Sequence, residues 1–347
     1  MRKGCVLFSI IGILMFLTAC ESEQKEGVKA FDSYRGETMG TVYNITVPTM
    51  GAKNLKAATD SILQAYNNEV STYIDSSVIS RFNQTRDTFR LAKSGAPHFF
   101  RNLVVAYRFH YLTDGYFDPT VMPLVNYWGF GYAPRDTSGL GDTAQVEALM
   151  QFVGLNRLGW EERGDSLWLI KPAPELQLDF SASAKGDGVD VLARYLSDQG
   201  FEDFMIEIGG EVYARGENPM GRPWTIGVHR PDPEGSMTDF IEKVKLSGKG
   251  LATSGNYRNF FEAGGVTYSH TIQPKTGWVE RNDLLSVTVI ADEVLTADVW
   301  ATALMTMGRE AAKQALEEQS EITGFLVFRS GNEMEVHYDK EFKQYRK

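Results

Sequence analysis

The chain has 347 residues, two cysteines and a formal net charge of −10. That acidity argues against a nucleic-acid partner, the length permits a hydrophobic core without cross-links, and so few cysteines exclude a disulfide framework. An acidic protein that takes an anionic ligand also needs a cation or a local positive charge at the point of contact.

Arg2 and Lys3 precede an apolar run from Cys5 to Leu17, which is too short to span a membrane and reads as a secretory signal. Leu17-Thr18-Ala19-Cys20 looks like a bacterial lipobox, which implies cleavage before Cys20 and acylation of that residue. Residues 1–19 are then the lipoprotein signal peptide, and the polar segment that follows makes 20–33 a flexible tether. Several acyl chains would hold it firmly, at ~0.8 kcal/mol per buried methylene. The expected location is the bacterial cell envelope, lipid-anchored and facing the periplasm. Loss of Cys5 with the signal leaves Cys20 alone, so the mature chain has no disulfide to form.

Within 34–347, Gly36 to Val47 reads as a strand, Leu55 to Tyr73 and His98 to Thr113 as helices, and Ala144 to Val153 as a further helix. Trp168 to Ile170 and Leu176 to Phe180 read as strands, Val189 to Leu196 as a helix ending at Gly200, and Glu202 to Ile208 as a strand. The later chain is strand-rich at Trp224 to His229, Phe240 to Leu246, Val266 to Ile272, Leu285 to Ile290 and Gly324 to Phe328, with a helix over Thr296 to Met307. Irregular mixing of the two element types argues against a TIM barrel or a doubly wound sheet. We expect one large α+β domain, with a two-lobed form left open and a cofactor in a central cleft.

Three stretches carry chemistry. Asp298 and Thr302 are four apart on the last helix, which stacks a carboxylate and a hydroxyl on one face. With a carbonyl such as that of Ala301 they make an all-oxygen set suited to Mg²⁺ or Ca²⁺; the plainer alternative is an Asp near the positive end of a helix and a Thr bonding back to a carbonyl. Leu176 to Gly200 reads strand, turn, helix, and the turn's small residues from Ser181 to Ala184 would let a pyrophosphate approach the backbone beside Lys185 at a helix N-terminus; an ordinary strand-to-helix corner fits equally well. Asp118, in Phe117-Asp118-Pro119, could accept from a ring N–H or a ribose hydroxyl, or could simply make an Asp-Pro turn over an aromatic core. The five histidines show no zinc-ligand spacing, and no G-x-S-x-G is present.

Taken in order, Met39-Gly40-Thr41, STY with SRFN, DGYFDP, DFSASAKG, IGGEV, TSGNYRNFF, SHTIQPKTG and TADVWATALMTMG resemble the FAD:protein FMN transferases, the ApbE family, across nearly the whole mature chain. The resemblance implies a Mg²⁺ site made by Asp298, Thr302 and the main-chain oxygens of Ala182 and Ala301. It also implies a flavin site that includes Met39, Tyr73, Tyr116, Phe117, Asp118, Asp179, Lys185 and Ile272, with His270 and Asp298 as the catalytic pair beside the reacting phosphates. Gln273 stands where the family commonly has Asp, which bears only on a contact behind the ligands, and Ala301 stands where some members have Asp, a change that would lower metal affinity.

The activity so implied is Mg²⁺-dependent transfer of FMN from FAD to a Ser or Thr hydroxyl of an acceptor protein, with release of AMP. Family acceptors carry an Asp-x-x-Ser/Thr-Gly/Ser-Ala/Thr motif and include subunits of the Na⁺-translocating NADH:quinone reductase and the Rnf complex. The rival readings are an FAD pyrophosphatase giving FMN and AMP, and a lipid-tethered flavin-binding protein without turnover.

Overall fold

The computed structural model describes residues 29–49, 54–236, 238–256, 260–263 and 265–347; Cys20 and the expected signal peptide lie outside them. The chain opens with a hairpin, β1 (Phe31–Thr38) and β2 (Thr41–Pro48). The single strand expected over Gly36 to Val47 is therefore two, because Met39 and Gly40 adopt φ of 51° and 70° and turn the chain in two residues. β1 begins at Phe31, so residues 31–33 belong to the sheet and not to the tether; the Phe31 ring meets Trp224 edge-on at 6.0 Å.

There follow α1 (Leu55–Val70), α2 (Val78–Gln84), β3 (Thr88–Ala92), α3 (Pro97–Leu112), α4 (Met122–Tyr127), α5 (Thr143–Met150), β4 (Gly159–Arg163) and β5 (Ser166–Ile170). The second half holds α6 (Ala184–Asp198), β6 (Phe204–Ile208), β7 (Glu211–Arg215), β8 (Trp224–His229), β9 (Phe240–Leu246), β10 (Lys249–Gly255), β11 (Phe260–Ala263), β12 (Val266–Ser269), β13 (Leu284–Ala291), α7 (Val294–Met307), α8 (Arg309–Glu318), β14 (Ile322–Ser330) and β15 (Glu333–Tyr338). Eight strands make one sheet in the order β1-β2-β6-β7-β10-β13-β14-β15, antiparallel throughout. The chain is thus a single large α+β domain, as expected.

The middle of that sheet is covered on both faces, which is why β13 reads as an almost unbroken apolar run. Val287 and Val289 of β13 and Leu326 and Phe328 of β14 pack with α7 in the main core. Ile290, Phe325 and Val327 point the other way, toward Trp224, Val244 and Phe342. Buried nearly all round, α7 lies across β10 and β13 and against α6. A satellite core of Leu124, Trp128, Val146, Tyr268, Ile272 and Val279 joins α4 and α5 to the β12 arm, and a cleft separates it from the main core.

Leu176 to Phe180 is not a strand of any sheet, although its residues alternate buried and half-buried as a strand's would. A side chain replaces the missing neighbour: Asn83 Nδ2 donates to the Leu178 carbonyl at 2.9 Å and Asn83 Oδ1 accepts from the Leu178 N–H at 2.7 Å. The Asp179 N–H donates to the Pro119 carbonyl. Period-two burial comes from the walls on either side of this segment, without a ladder. β12 likewise stops at Ser269, short of the expected Ile272, and only an isolated bridge pairs Ile272 with Val279.

Candidate active site

The chain leaves Leu178 and turns at Asp179, whose Oδ1 accepts from the Ser181 N–H at 2.9 Å and whose Oδ2 accepts from Ser181 Oγ at 2.7 Å. This Asx-type turn delivers Ser183 and Ala184 to the start of α6. Burial raises the Asp179 pKa, opposed by those two Ser181 bonds. Lys185 therefore stands in the first turn of α6, where the positive end of the helix dipole favours an anion.

Lys185 Nζ sits between two carboxylates, 2.8 Å from Glu211 Oε1 and 3.9 Å from Asp298 Oδ1. Burial alone would lower its pKa, but Asp298 and Glu211 outweigh that and hold the ammonium form above its usual range. Burial raises the Asp298 pKa against the pull of Lys185 and of the Gly186 N–H, which donates to Asp298 Oδ2 at 3.0 Å. Burial likewise pushes Glu211 up to about 7. Glu211 is 3% exposed, and among the described residues its Oε2 has no hydrogen-bond partner.

One turn beyond Asp298, Thr302 Oγ1 lies 3.4 Å from Ser254 Oγ of β10. A further turn on, Thr306 Oγ1 lies 2.8 Å from the Tyr116 carbonyl, which ties α7 to the aromatic wall. Asp298, Thr302 and Ala182 all line the cleft, so a carboxylate and a hydroxyl share one space with the turn that carries Ala182. Among the described residues no three His, Cys, Asp or Glu gather as a metal cage. A single carboxylate with neutral oxygens suits Mg²⁺, which keeps waters and takes substrate phosphates as ligands, better than it suits zinc. Ala301 is fully buried in the main core and is not part of the cleft wall.

The cleft holds about 430 Å³, within the range of small-molecule sites. Tyr73, Tyr116, Phe117, Asp118, Asp179, Lys185, His270 and Ile272 all line it. Tyr73 is 69% exposed at its edge. The Tyr116 ring carries Lys275 Nζ at 4.4 Å, and His270 lies 6.4 Å from Phe130 between ring centroids. Another hollow, of about 480 Å³ beside α8 and β14, contains none of the residues singled out in the sequence.

Two expected ligand contacts are placed differently. The Asp118 carboxylate is occupied by the fold: Oδ1 accepts from the Thr120 N–H at 2.8 Å and from Thr120 Oγ1 at 2.5 Å, while Oδ2 accepts from the Leu155 N–H at 3.0 Å and lies 3.1 Å from His110 Nδ1. The turn role accounts for that side chain in full. Met39 forms the β1–β2 turn and packs toward α6, where a Cβ on Gly188 would meet Met39 Cε at 2.8 Å; it does not line the cleft. Residues not assigned from the sequence also face the cleft, chiefly Glu211, Ser254, Phe130 and Thr306. The sequence signal for Glu211 is an acid directly after the double glycine of Gly209-Gly210.

Residues 39–326 match the ApbE family. The sequence is 38% identical over 340 residues to the FAD:protein FMN transferase of Vibrio cholerae, an alignment covering 96% of each chain. It is 30% identical over 345 residues to that of Escherichia coli strain K12, covering 97% of this chain and 96% of the other. The backbone is similar to the solved flavin transferase ApbE from Vibrio cholerae, with a TM-score of 0.81, 35% identity and coverage of 91% and 99%. Against the apo flavinyl transferase ApbE of Pseudomonas stutzeri the TM-score is 0.77 at 31% identity, with coverage of 91% and 96%.

Proposed function

The chain belongs to the ApbE family, and from that membership we propose that it is an FAD:protein FMN transferase that moves FMN from FAD onto a Ser or Thr hydroxyl of an acceptor protein, with AMP leaving. The observation that carries the reading is the meeting of Lys185, Glu211, Asp298 and Thr302 at the N-terminus of α6, inside a cleft walled by Tyr73, Tyr116, Phe117 and Phe130. Aromatic and apolar walls suit a flavin's ring system, and the opposite wall suits its pyrophosphate.

In the reaction the acceptor hydroxyl oxygen attacks the FMN-side phosphorus, a new P–O bond forms, and the bridging P–O bond breaks with its electron pair leaving on AMP. Asp298, Thr302 and the carbonyl of Ala182 would hold Mg²⁺, which when bound draws charge from the phosphate oxygens. Lys185, at the positive end of the α6 dipole, orients the phosphates and offsets their charge. His270 is the candidate to receive the hydroxyl proton, from its place on the cleft wall.

The lipobox at Cys20 supports a lipid anchor in the bacterial envelope with the enzyme facing the periplasm. Redox-complex subunits with the acceptor motif are the fitting partners there, of the Na⁺-translocating NADH:quinone reductase or Rnf type. Incubation with FAD and Mg²⁺, with and without an acceptor bearing that motif, tests the reading. Flavin covalently attached only when acceptor is present is the expected result. Free FMN regardless of acceptor would make the enzyme a pyrophosphatase, and bound but unchanged FAD would make it a flavin carrier.

A further inference from the structure

Helix α7 carries Asp298 and Thr302, yet nothing next to it in sequence caps its first turn. Glu293 precedes it with an extended backbone and no side-chain bond to the helix, its carboxylate turned instead to Arg101 Nη2 at 2.9 Å. The orphan N–H groups of Val294 and Leu295 donate across the helix interface to Asp190 Oδ1 and Oδ2, each at 2.9 Å. Asp190 belongs to α6 and is 4% exposed.

The same two helices meet again at Gly186, the residue after Lys185. A Cβ there would lie 2.7 Å from the Val294 carbonyl oxygen and 2.9 Å from Asp298 Cβ, and its N–H donates to Asp298 Oδ2. Two joints at different heights along α6 thus limit both sliding and rotation of α7, the helix that presents the oxygen ligands.

We propose that Asp190 is a positioning residue for divalent-ion binding: by capping α7 from α6 it sets where Asp298 and Thr302 stand relative to Lys185. The inference rests on the ion site argued above. Magnesium demands near-ideal octahedral geometry, so small displacements of its ligands weaken binding, and Asp190 acts on the ion without touching it. A cap that served only folding would instead lower stability and leave the affinity of the folded protein alone.

The test titrates Mn²⁺, followed by its electron paramagnetic resonance signal, into the wild-type chain and the Asp190→Asn and Asp190→Ala variants. Metal-free FAD binding is read separately by flavin fluorescence, and folding by circular dichroism. Asp190→Asn keeps one acceptor oxygen and should weaken Mn²⁺ binding by a few-fold, while Asp190→Ala should weaken it about tenfold or more, the scale of losses behind a metal's direct ligands. Metal-free FAD affinity should stay within about twofold, since phosphate capture rests on Lys185 and the N-terminus of α6. Unchanged Mn²⁺ affinity in folded Asp190→Asn overturns the proposal, as does an equal loss of Mn²⁺ and FAD binding that tracks the unfolded fraction. If Asp190→Ala does not fold, the Asn variant decides alone. A wild-type chain that binds no Mn²⁺ removes the ion site itself and this inference with it, whereas wild-type binding with an unaffected Asn variant removes only the inference.

Discussion

The Gly186 N–H donates to Asp298 Oδ2 at 3.0 Å, which joins the phosphate corner directly to the carboxylate of α7. With one oxygen so oriented, Asp298 Oδ1 is left toward Lys185 and the cleft. Asp298→Ala should abolish Mg²⁺-dependent turnover, with kcat down by about 100-fold or more, the cost of removing a main electrostatic element. Near-normal activity would remove the ion site. Gly186→Ala probes the joint from the other side: its Cβ would press on the Val294 carbonyl and Asp298 Cβ at under 3 Å. A stability loss of about 1–3 kcal/mol by urea unfolding is expected.

Lys185 and Glu211 form the half-buried ion pair of the site, and removal of Lys185 strands the buried Glu211 carboxylate. Lys185→Ala should weaken FAD capture more than it alters the dependence on Mg²⁺, and an unchanged FAD Kd would refute the phosphate role. Glu211→Gln keeps an acceptor for the ammonium group but withdraws a negative charge from beside the incoming pyrophosphate. FAD binding without metal should therefore tighten or hold in Glu211→Gln and fall in Glu211→Ala, as read by flavin fluorescence.

Most of the architecture was legible because long amphipathic segments such as α1 and α3 keep their pattern in any context, while α7 shows as a run without Pro or Gly that stops at Gly308. The oxygen pair on α7 was legible because helical spacing fixes which side chains share a face, and Lys185 because it follows a turn of small residues at a helix start. What escaped depends on distant partners. Glu211 matters only because β6 and β7 bring it under Lys185, and the Asp118 carboxylate is engaged by the N–H of Leu155, 37 residues away in sequence. The hairpin at Met39-Gly40 was missed because its central pair lacks the Asn-Gly or Asp-Gly that usually marks such a turn.

His110 faces Asp118 at 3.1 Å, and that contact raises the histidine's pKa above its usual 6.5, with burial acting in the opposite direction. A raised folded-state value means that the stabilisation is fully present below about 6.5, the unfolded value, and is lost as pH climbs through the folded value. The melting temperature of wild type relative to His110→Gln should therefore be highest in mildly acid buffer and shrink as pH rises through the raised folded-state value. A difference that grows with pH would refute the pairing.

The Asn83 amide stands in for a whole neighbouring strand. It is 5% exposed, and it both donates to and accepts from the backbone of Leu178. Its own carbonyl is held by Lys171, whose buried ammonium group also reaches the carbonyls of Thr85 and Pro174. Burial pushes the Lys171 pKa down to about 8. Asn83→Ala would leave a buried N–H and a buried carbonyl unsatisfied, at about 1–3 kcal/mol each. It would also free the segment that carries Asp179 and leads to Lys185, so KM for FAD should rise alongside the loss of stability. Asn83→Asp keeps the acceptor and loses the donor, and should fall between wild type and Asn83→Ala in urea unfolding. Full stability in Asn83→Ala would show that the walls of the segment, and not this amide, hold the cleft's floor in place.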